Sequence, residues 1–339
     1  KDTKGTRKQA QTALQDLIEQ KVSNYLSAVK KDSLRLSELI ELYRKDQLST
    51  VSQSTYQRNY YATKSLAEIL GEATLVDRIT AGYVREQLAA RSEKPGTTNE
   101  RITRLKALFR WGYENDYIKD IRWLDKLKKF KDEEKQQKLE DKYLESEELK
   151  ILLDNISVEK WRFLAELTAL SGLRIGEAIA LDSADIDFKS KIITISKTYD
   201  PVNQIVTDPK TVSSNREVYM QDQLFNLCRQ ISLYMNKDRM LKGYRSSIFI
   251  SDSNGGYISY YAYNKCLSET ALRLFGKKVT SHFMRHTHVA LMAEQGVPLD
   301  VISRRLGHAD SQITRDIYFH VTKKMKEQDR LQICNVRIL

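Results

Sequence analysis

The scarcity of proline is the feature that most limits how this chain can fold. Its 339 residues hold four prolines, Pro95, Pro201, Pro209 and Pro298. Proline inside a helix removes a hydrogen bond and clashes with the preceding turn. The long intervals between these prolines repeat apolar residues at helical spacing. The sequence therefore predicts a mainly α-helical protein.

Short β-type segments interrupt the helical pattern in the second half of the chain. The runs ADIDF, IITISKTY and REVYM, which fall between residues 184 and 220, are separated by turn residues. They are rich in the β-branched and aromatic residues that favour strands. Helical spacing returns from Gln223 onward. We predict that this half is an α+β domain with one small antiparallel sheet.

A charged segment suggests where the chain divides. Residues 126–142, KLKKFKDEEKQQKLEDK, hold twelve charged side chains and no apolar periodicity. Such a composition is typical of an exposed linker, although a solvated helix inside one continuous domain is the alternative. The predicted parts are an N-terminal helix within residues 1–32, a helical domain at 33–125, a linker at 126–143, an α+β domain at 144–325 and a tail at 326–339.

The charge and cysteine content limit the partners and the compartment. The net charge of +11 is spread along the chain, which suits a protein that follows a polyanion such as DNA. A basic protein with no such partner is the alternative. The three cysteines, Cys228, Cys266 and Cys334, lie far apart, so neither disulfides nor a zinc knuckle are expected. Their spacing is consistent with a protein of the reducing cell interior. No signal peptide or membrane-spanning stretch is evident, so no membrane partner is expected.

All five histidines lie between positions 282 and 320. No cysteine or helical-face carboxylate accompanies them, so we predict no metal site there. His282 and Arg285 stand three residues apart, which puts them on one face of a helix. We expect His286 and His288 to be ordinary polar or core residues.

Four short motifs follow one another in the second half. They are Ser171-Gly172-Leu173-Arg174-Ile175-Gly176-Glu177, then the run from Lys210 to Val218, then His282-Phe283-Met284-Arg285, and finally Leu306-Gly307-His308 with Thr314-Arg315-Asp316-Ile317-Tyr318-Phe319-His320. In this order and spacing they resemble the active-site motifs of the tyrosine recombinases, the family of phage-type and conjugative-element integrases. The resemblance extends over residues 6–325.

The resemblance implies a set of catalytic residues. They are Arg174, Lys210, His282, Arg285, His308 and the nucleophile Tyr318, which would become linked to a DNA 3′ phosphate. Arginine forks suit the phosphoryl oxygens, and a lysine can protonate the leaving 5′ oxygen. Lys197 is the rival of Lys210. Neither a metal nor another cofactor is expected.

The helix that follows Thr97 resembles part of a helical core-binding domain, as does the segment at 75–80. The helix after Thr97 has an apolar side formed by Ile102, Leu105, Phe109 and Gly112. Thr97 with Glu100 is predicted to cap the start of this helix. The flanking cations suggest a DNA contact. The predicted DNA-binding residues are Arg101, Arg104, Lys106, Arg110, Thr211 and Arg216.

The resemblance also implies an assembly and a setting. The two domains would close as a C-shaped clamp on double-stranded DNA core sites. Four copies would exchange strands through a Holliday junction, aided by accessory excision or bending proteins, in a bacterial cytoplasm at the nucleoid. Residues 6–10 resemble the end of an arm-binding domain. The apolar tail is expected to fold back in cis or to dock in trans.

Three alternatives stay open on the sequence. A chromosome-dimer resolvase or a type IB-like topoisomerase would share the same active site. A DNA-binding regulator without catalysis would keep the basic surfaces. A metal-dependent nuclease would use the histidine cluster, and a chelator would identify it.

Overall fold

The computed structural model describes residues 14–15, 17–21, 34–131, 142–208, 215–307 and 312–334. The chain divides into two compact units, Lys1–Glu133 and Glu134–Leu339. The boundary falls inside the charged segment at 126–143. Most of the N-terminal helix predicted within residues 1–32 lies outside the described residues. Its described residues, 14–15 and 17–21, are helical and exposed.

From residue 34 onward, the described part of the first unit consists mainly of α-helices. They are α1 (Leu36–Thr50), α2 (Gln53–Leu70), α3 (Ala81–Ala89), α4 (Pro95–Glu114) and the short α5 (Trp123–Lys126). Their apolar sides meet in one core, whose fully buried residues include Leu36, Leu39, Ile102, Leu105, Leu108 and Phe109. Burying several large apolar side chains stabilises such a bundle by roughly 1.5–3 kcal/mol for each.

Helix α4 confirms the predicted apolar side and corrects the predicted start. Ile102, Leu105, Phe109 and Gly112 are all buried. The helix begins at Pro95, so Thr97 lies in its first turn and the predicted cap of Thr97 and Glu100 is wrong. Proline is favoured at a first helical position, because its φ is already helical and its missing N–H would have had no partner.

The charged segment is packed at its start. Leu127 is fully buried, and the Asn99 side chain makes two hydrogen bonds with the Phe130 backbone, of 2.9 Å to its carbonyl and 2.7 Å from its N–H. Residues 132–141 lie outside the described residues. On the other side of this gap, Tyr143 and Leu144 are buried in the second unit.

The second unit surrounds a large apolar core with helices. They are α6 (Ser146–Asp154), α7 (Glu159–Ser171), α8 (Ile175–Ala180), α9 (Asp222–Lys242), α10 (Tyr260–Phe275), α11 (Ser281–Glu294), α12 (Leu299–Leu306) and α13 (Gln312–Cys334). Helix α11 packs against α7 on one side and α13 on another. The mixed α and β character predicted for this unit is confirmed.

The strands form two small antiparallel sheets. They are β1 (Ile186–Asp187), β2 (Ile192–Ile195), β3 (Thr198–Asp200), β4 (Ile205–Thr207) and β5 (Arg216–Tyr219). The order β1-β2-β5 makes one sheet, and β3 with β4 makes a second. We predicted one sheet because IITISKTY is a continuous run. The run divides at residues 196–197, where Lys197 forms ion pairs with Asp182 and Asp185. These ion pairs are tertiary contacts, which strand propensity does not encode.

The cysteines and the helices add two findings. Cys228, Cys266 and Cys334 are free thiols, and burial raises the pKa of the Cys228 thiol to about 12. Among the described residues, no helix combines the length and apolar character that crossing a membrane would need.

The packing of two helical glycines yields a stability test. A Cβ at Gly112 would lie 2.8 Å from Ile118 Cδ1 and 3.0 Å from Leu39 Cδ1, whereas one at Gly82 would meet nothing closer than 3.9 Å. Overpacking costs about 1–3 kcal/mol, against a helix-propensity gain of roughly 0.5–1 kcal/mol. We expect Gly112→Ala to lower the free energy of unfolding and Gly82→Ala to raise it. Denaturant titration followed by tryptophan fluorescence measures both, and equal shifts would refute the packing argument.

Candidate active site

A left-handed glycine begins the site. Helix α7 ends at Ser171, and Gly172 follows with φ 73°. A Cβ at Gly172 would lie 2.6 Å from His288 Cδ2 and 2.7 Å from Leu306 Cδ2. Only glycine allows both this backbone conformation and this close approach. The tight turn sends the chain through buried Leu173 to Arg174, which stands directly before α8.

A buried carboxylate holds Arg174 in place. The backbone N–H of Arg174 donates to Glu177 Oε2 at 2.8 Å, and its Nη1 donates to Glu177 Oε1 at 2.9 Å. Burial raises the pKa of Glu177, but hydrogen bonds from Arg216 and the charges of Arg216 and Arg174 outweigh it, so the pKa is lowered overall. Glu177 is therefore ionised. The Arg174 side chain is 36% exposed, so its guanidinium faces solvent at the edge of the site.

Arg285 lies deeper, between two helix ends. Its Nη1 donates to the Gly172 carbonyl at 2.5 Å and its Nη2 to the Leu306 carbonyl at 2.6 Å. Burial, followed by the positive charge of Arg174, lowers the pKa of Arg285 to about 9, so it stays protonated at neutral pH. Helix α11 thus supplies a fixed cation beside Arg174.

His282 precedes Arg285 by one turn of α11, as the sequence predicted. Its side chain is exposed, yet partial desolvation and the charges of Arg285 and Arg174 lower its pKa below the ordinary value of 6.5. The ring is therefore neutral at pH 7. A neutral imidazole can accept a proton on one nitrogen and donate from the other.

His288 is buried and structural. Its Nδ1 lies 2.9 Å from the Ala169 carbonyl, and Arg305 Nε donates to its Nε2 at 3.2 Å. Burial and the charge of Arg305 lower its pKa to about 3, so it is neutral. These partners assign the proton to Nδ1. The expectation that His288 is a core residue agrees with this place, behind the turn at Gly172.

Arg305 is a site residue that sequence reasoning missed. Besides His288, it donates to the Tyr219 carbonyl at 2.6 Å and to Gln221 Oε1 at 2.8 Å. It follows Ile302 by three residues on the apolar side of α12, and that position was the signal that could have found it.

Arg216 occupies a different place from the one predicted. We expected it to contact DNA, but its side chain is only 7% exposed. Its Nη1 and Nη2 donate to the two Glu177 oxygens at 3.0 and 2.8 Å, and its Nε donates to the Arg305 carbonyl at 2.8 Å. Gly307, with φ 70°, makes room for it, since a Cβ there would lie 2.8 Å from Arg216 Cδ. The structure therefore puts Arg216 inside the protein.

Tyr318 lies on α13, which packs against α11 and α12. It is partly buried against a small core that includes Val289, Leu306, Ile317 and Val321. Two residues further along α13, Nδ1 of the His320 ring lies 3.3 Å from the Tyr143 hydroxyl. The helix of Tyr318 is thus anchored on the helix that carries His282 and Arg285.

Three predicted site residues, Lys210, Thr211 and His308, lie outside the described residues. The rival lysine, Lys197, forms ion pairs with Asp182 and with Asp185, the latter at 3.0 Å. Two carboxylates around one ammonium are the surroundings of a structural cation. Within the described ranges, no three histidine, cysteine or acidic side chains stand together as a metal site would require.

The cations of the first unit lie on two flanks of α4. Arg101 is paired with Glu93 through two bonds of 2.7 Å, and Arg104 contacts Glu100 at 2.7 Å. Both line a pocket of about 510 Å³ between α2 and α4, together with Arg58, Ser65 and Thr97. Lys106 and Arg110 lie on the other flank of the helix. Arg58 was not among the predicted residues.

Known proteins resemble this chain over both units. The family model "Phage integrase family" matches residues 142–325. The integrase of Staphylococcus phage L54a is 34% identical over 239 residues, which cover 64% of this chain and 67% of that protein.

Two solved structures share the fold. The Tn1549 transposon integrase in complex with transposon right end DNA has a TM-score of 0.67 at 18% identity, over 87% of this chain and 99% of that one. A lambda integrase tetramer bound to a Holliday junction has a TM-score of 0.63 at 14% identity, over 90% and 86%. The family model spans more than half of the chain and includes every described active-site candidate. The chain therefore belongs to the phage integrase family and is a tyrosine recombinase.

Proposed function

We propose that the chain integrates or excises a mobile element by cutting and rejoining DNA through Tyr318. The observation that carries this proposal is the clustering of two cations, Arg174 and Arg285, with a neutral His282. Arg285 and His282 lie on a helix that packs against the helix of Tyr318. Cations fixed by protein groups suit the extra negative charge of a phosphoryl transition state. The phage and transposon integrases named above support the role in a mobile element.

The chemistry follows from these side chains. The Tyr318 oxygen attacks the scissile phosphorus, the phosphotyrosyl bond forms to the 3′ phosphate, and the bond to the 5′ oxygen breaks. Free tyrosine has a pKa of roughly 10, so its proton must be removed as it attacks. His282 or His308 can accept that proton, and Lys210 can give one to the leaving 5′ oxygen. Rejoining reverses each step.

Arg174 and Arg285 have different parts in this scheme. Arg174 is accessible enough to bind a non-bridging oxygen directly with its guanidinium. Arg285 is buried and bound to two backbone carbonyls, so it acts as a fixed charge. The energy of the broken bond stays in the phosphotyrosyl link, and protein cations carry the charge. We therefore propose that neither ATP nor a metal ion takes part.

We further propose a homotetramer on double-stranded core sites. The lambda integrase tetramer on a Holliday junction supports this assembly. The tail at 326–339 would then dock in trans, and accessory excision or bending proteins would set the direction. Such a protein works in the bacterial cytoplasm, where its DNA lies.

Tyr318→Phe tests the nucleophile. On a nicked suicide substrate, the parent protein should trap a covalent DNA adduct and the variant should trap none, because the attacking oxygen is gone. Gel shift under denaturing conditions measures the adduct. The control is Tyr261→Phe, which removes the same hydroxyl from an exposed tyrosine on α10 and should behave like the parent. Adduct formation by Tyr318→Phe would overturn the assignment, and no adduct in the parent would favour the non-catalytic regulator.

Chelation tests the absence of a metal. We expect the rate of adduct formation to be unchanged in excess EDTA, since arginine, lysine and histidine cover each chemical role. The same substrate and a quenched time course measure it. Complete loss in EDTA, restored by one divalent ion, would instead favour the metal-dependent nuclease.

Paired substitutions test which flank of α4 faces DNA. We expect Arg58→Gln with Arg104→Gln to weaken binding and to flatten the slope of log K against log salt by about one unit per lost phosphate contact. Lys106→Gln with Arg110→Gln makes the same change of charge on the other flank and serves as the matched control. Fluorescence anisotropy at several salt concentrations measures both. A flatter slope in the second pair alone would place the DNA on the opposite flank.

Recombination products separate the enzyme alternatives. An element integrase should join an element site to a chromosomal site. A chromosome-dimer resolvase should act on two copies of one chromosomal site, and a topoisomerase should relax supercoils on any plasmid.

A further inference from the structure

We propose that Arg216 is a positioning residue that neutralises Glu177 and so leaves the positive charge of Arg174 available to the scissile phosphate. This inference rests on the proposed function, because it concerns the same site. It assigns to Arg216 an electrostatic task in catalysis without contact with the substrate.

The geometry at Glu177 is shared evenly between two arginines. Oε1 accepts from Arg174 Nη1 at 2.9 Å and from Arg216 Nη1 at 3.0 Å. Oε2 accepts from the Arg174 backbone and from Arg216 Nη2, both at 2.8 Å. Arg216 therefore makes the two-bond fork with the carboxylate, whereas the Arg174 side chain makes one bond. Forked pairs are the stronger of the two kinds.

Glu177, Arg216 and Arg174 differ in burial, and this difference decides which of the two arginines faces solvent. Glu177 is 4% exposed and Arg216 is 7% exposed, while Arg174 is 36% exposed. The buried carboxylate and the buried arginine thus form the inner pair, and Arg174 is the outer cation. One negative and two positive charges leave a net charge of +1, which lies on the side of Arg174.

Removal of Arg216 would change this balance. A buried carboxylate that loses its partner is strongly unfavourable unless another cation replaces it. Arg174 is the nearest replacement, since it already donates twice to Glu177. Its guanidinium would turn inward to make the fork, and the net charge of the group would fall to zero. The transition state would then lose stabilisation, although Arg174 itself is still present.

The anchoring of Arg216 explains how it keeps this place. Its Nε donates to the Arg305 carbonyl at 2.8 Å, and its Cδ fills the space that Gly307 leaves. Strand β5 fixes its backbone, through pairing of Arg216 with Ile195. Three motifs of the family, at Glu177, Arg216 and Gly307, therefore meet at one guanidinium.

A double-mutant cycle tests the proposal. Single-turnover adduct formation is measured for the parent, Arg216→Met, Glu177→Gln and the double variant. We expect Arg216→Met to slow cleavage about 100-fold in the parent, a loss typical of one electrostatic group. In the Glu177→Gln background, where no carboxylate is left to neutralise, the loss should shrink to less than about 10-fold. An equal loss in both backgrounds would overturn the proposal.

Arg305→Met is the matched control. Arg305 is a partly buried arginine of this site, and its acceptors are carbonyls, an amide and an imidazole. The fold by which Arg305→Met slows adduct formation should be the same in the parent and in the Glu177→Gln background. Rescue of Arg305→Met by Glu177→Gln would show that the cycle reports on general packing, and would also overturn the charge account.

A substrate with a neutral methylphosphonate at the scissile position gives a second readout. Its transition state carries less charge, so the loss caused by Arg216→Met should be smaller than on the phosphate. Thermal unfolding and DNA binding confirm that each variant is folded. If Arg216→Met does not fold, Arg216→Gln replaces it in the cycle. Arg216→Lys keeps a cation beside Glu177 and should retain more activity than either variant; an equal loss would contradict the proposal.

The outcomes separate this inference from the proposed function. If the parent forms no adduct with DNA, the proposed function fails. If the parent forms the adduct and the cycle is additive, only the role of Arg216 fails.

Discussion

Carbonyl groups at two helix ends hold Arg285, the most deeply placed cation of this active site. A helix leaves its last carbonyls without partners inside the helix, and they carry partial negative charge. Arg285 takes the Gly172 carbonyl after α7 and the Leu306 carbonyl at the end of α12. Both helices end in a left-handed glycine, which lets the chain turn away and leaves the carbonyls accessible. Without these ends, a guanidinium this deeply buried would lack the acceptors that its burial requires.

The same helix ends bind the supporting residues. His288 contacts the Ala169 carbonyl near the end of α7, and Arg216 takes the Arg305 carbonyl near the end of α12. Arg174, Arg216 and Arg285 can therefore lie close together with only one carboxylate, Glu177, because backbone carbonyl groups also compensate their positive charge. These hydrogen bonds hold the charges in position before the reaction, and such preorganised charge stabilises the transition state of phosphoryl transfer. A flexible set of arginines would have to reorganise during each reaction.

The environment separates residues of the same type. His282 and His288 lie on one helix, yet His282 faces solvent and His288 is fixed between a carbonyl and Arg305. Burial lowers the pKa of His288, and partial desolvation together with the charges of Arg285 and Arg174 lowers that of His282, so both are neutral at pH 7. The arginines differ in a similar way. Arg174 is accessible, whereas Arg216 and Arg305 are bound inside, so charge near a phosphate site is no measure of contact with DNA.

The sequence by itself determined the mainly helical fold, the apolar side of α4 and the motifs that contain Arg174, His282, Arg285 and Tyr318. These depend on local periodicity and on the order of residues along the chain, which a sequence states directly. The start of α4 was mistaken by three residues, because threonine and proline signals compete within one turn. The tertiary structure alone decided which partners Arg216 and Arg305 bind and how far each is buried. An arginine on a surface and an arginine in a buried pair are the same letter, and only packing brings Glu177, 39 residues away along the chain, to the guanidinium of Arg216.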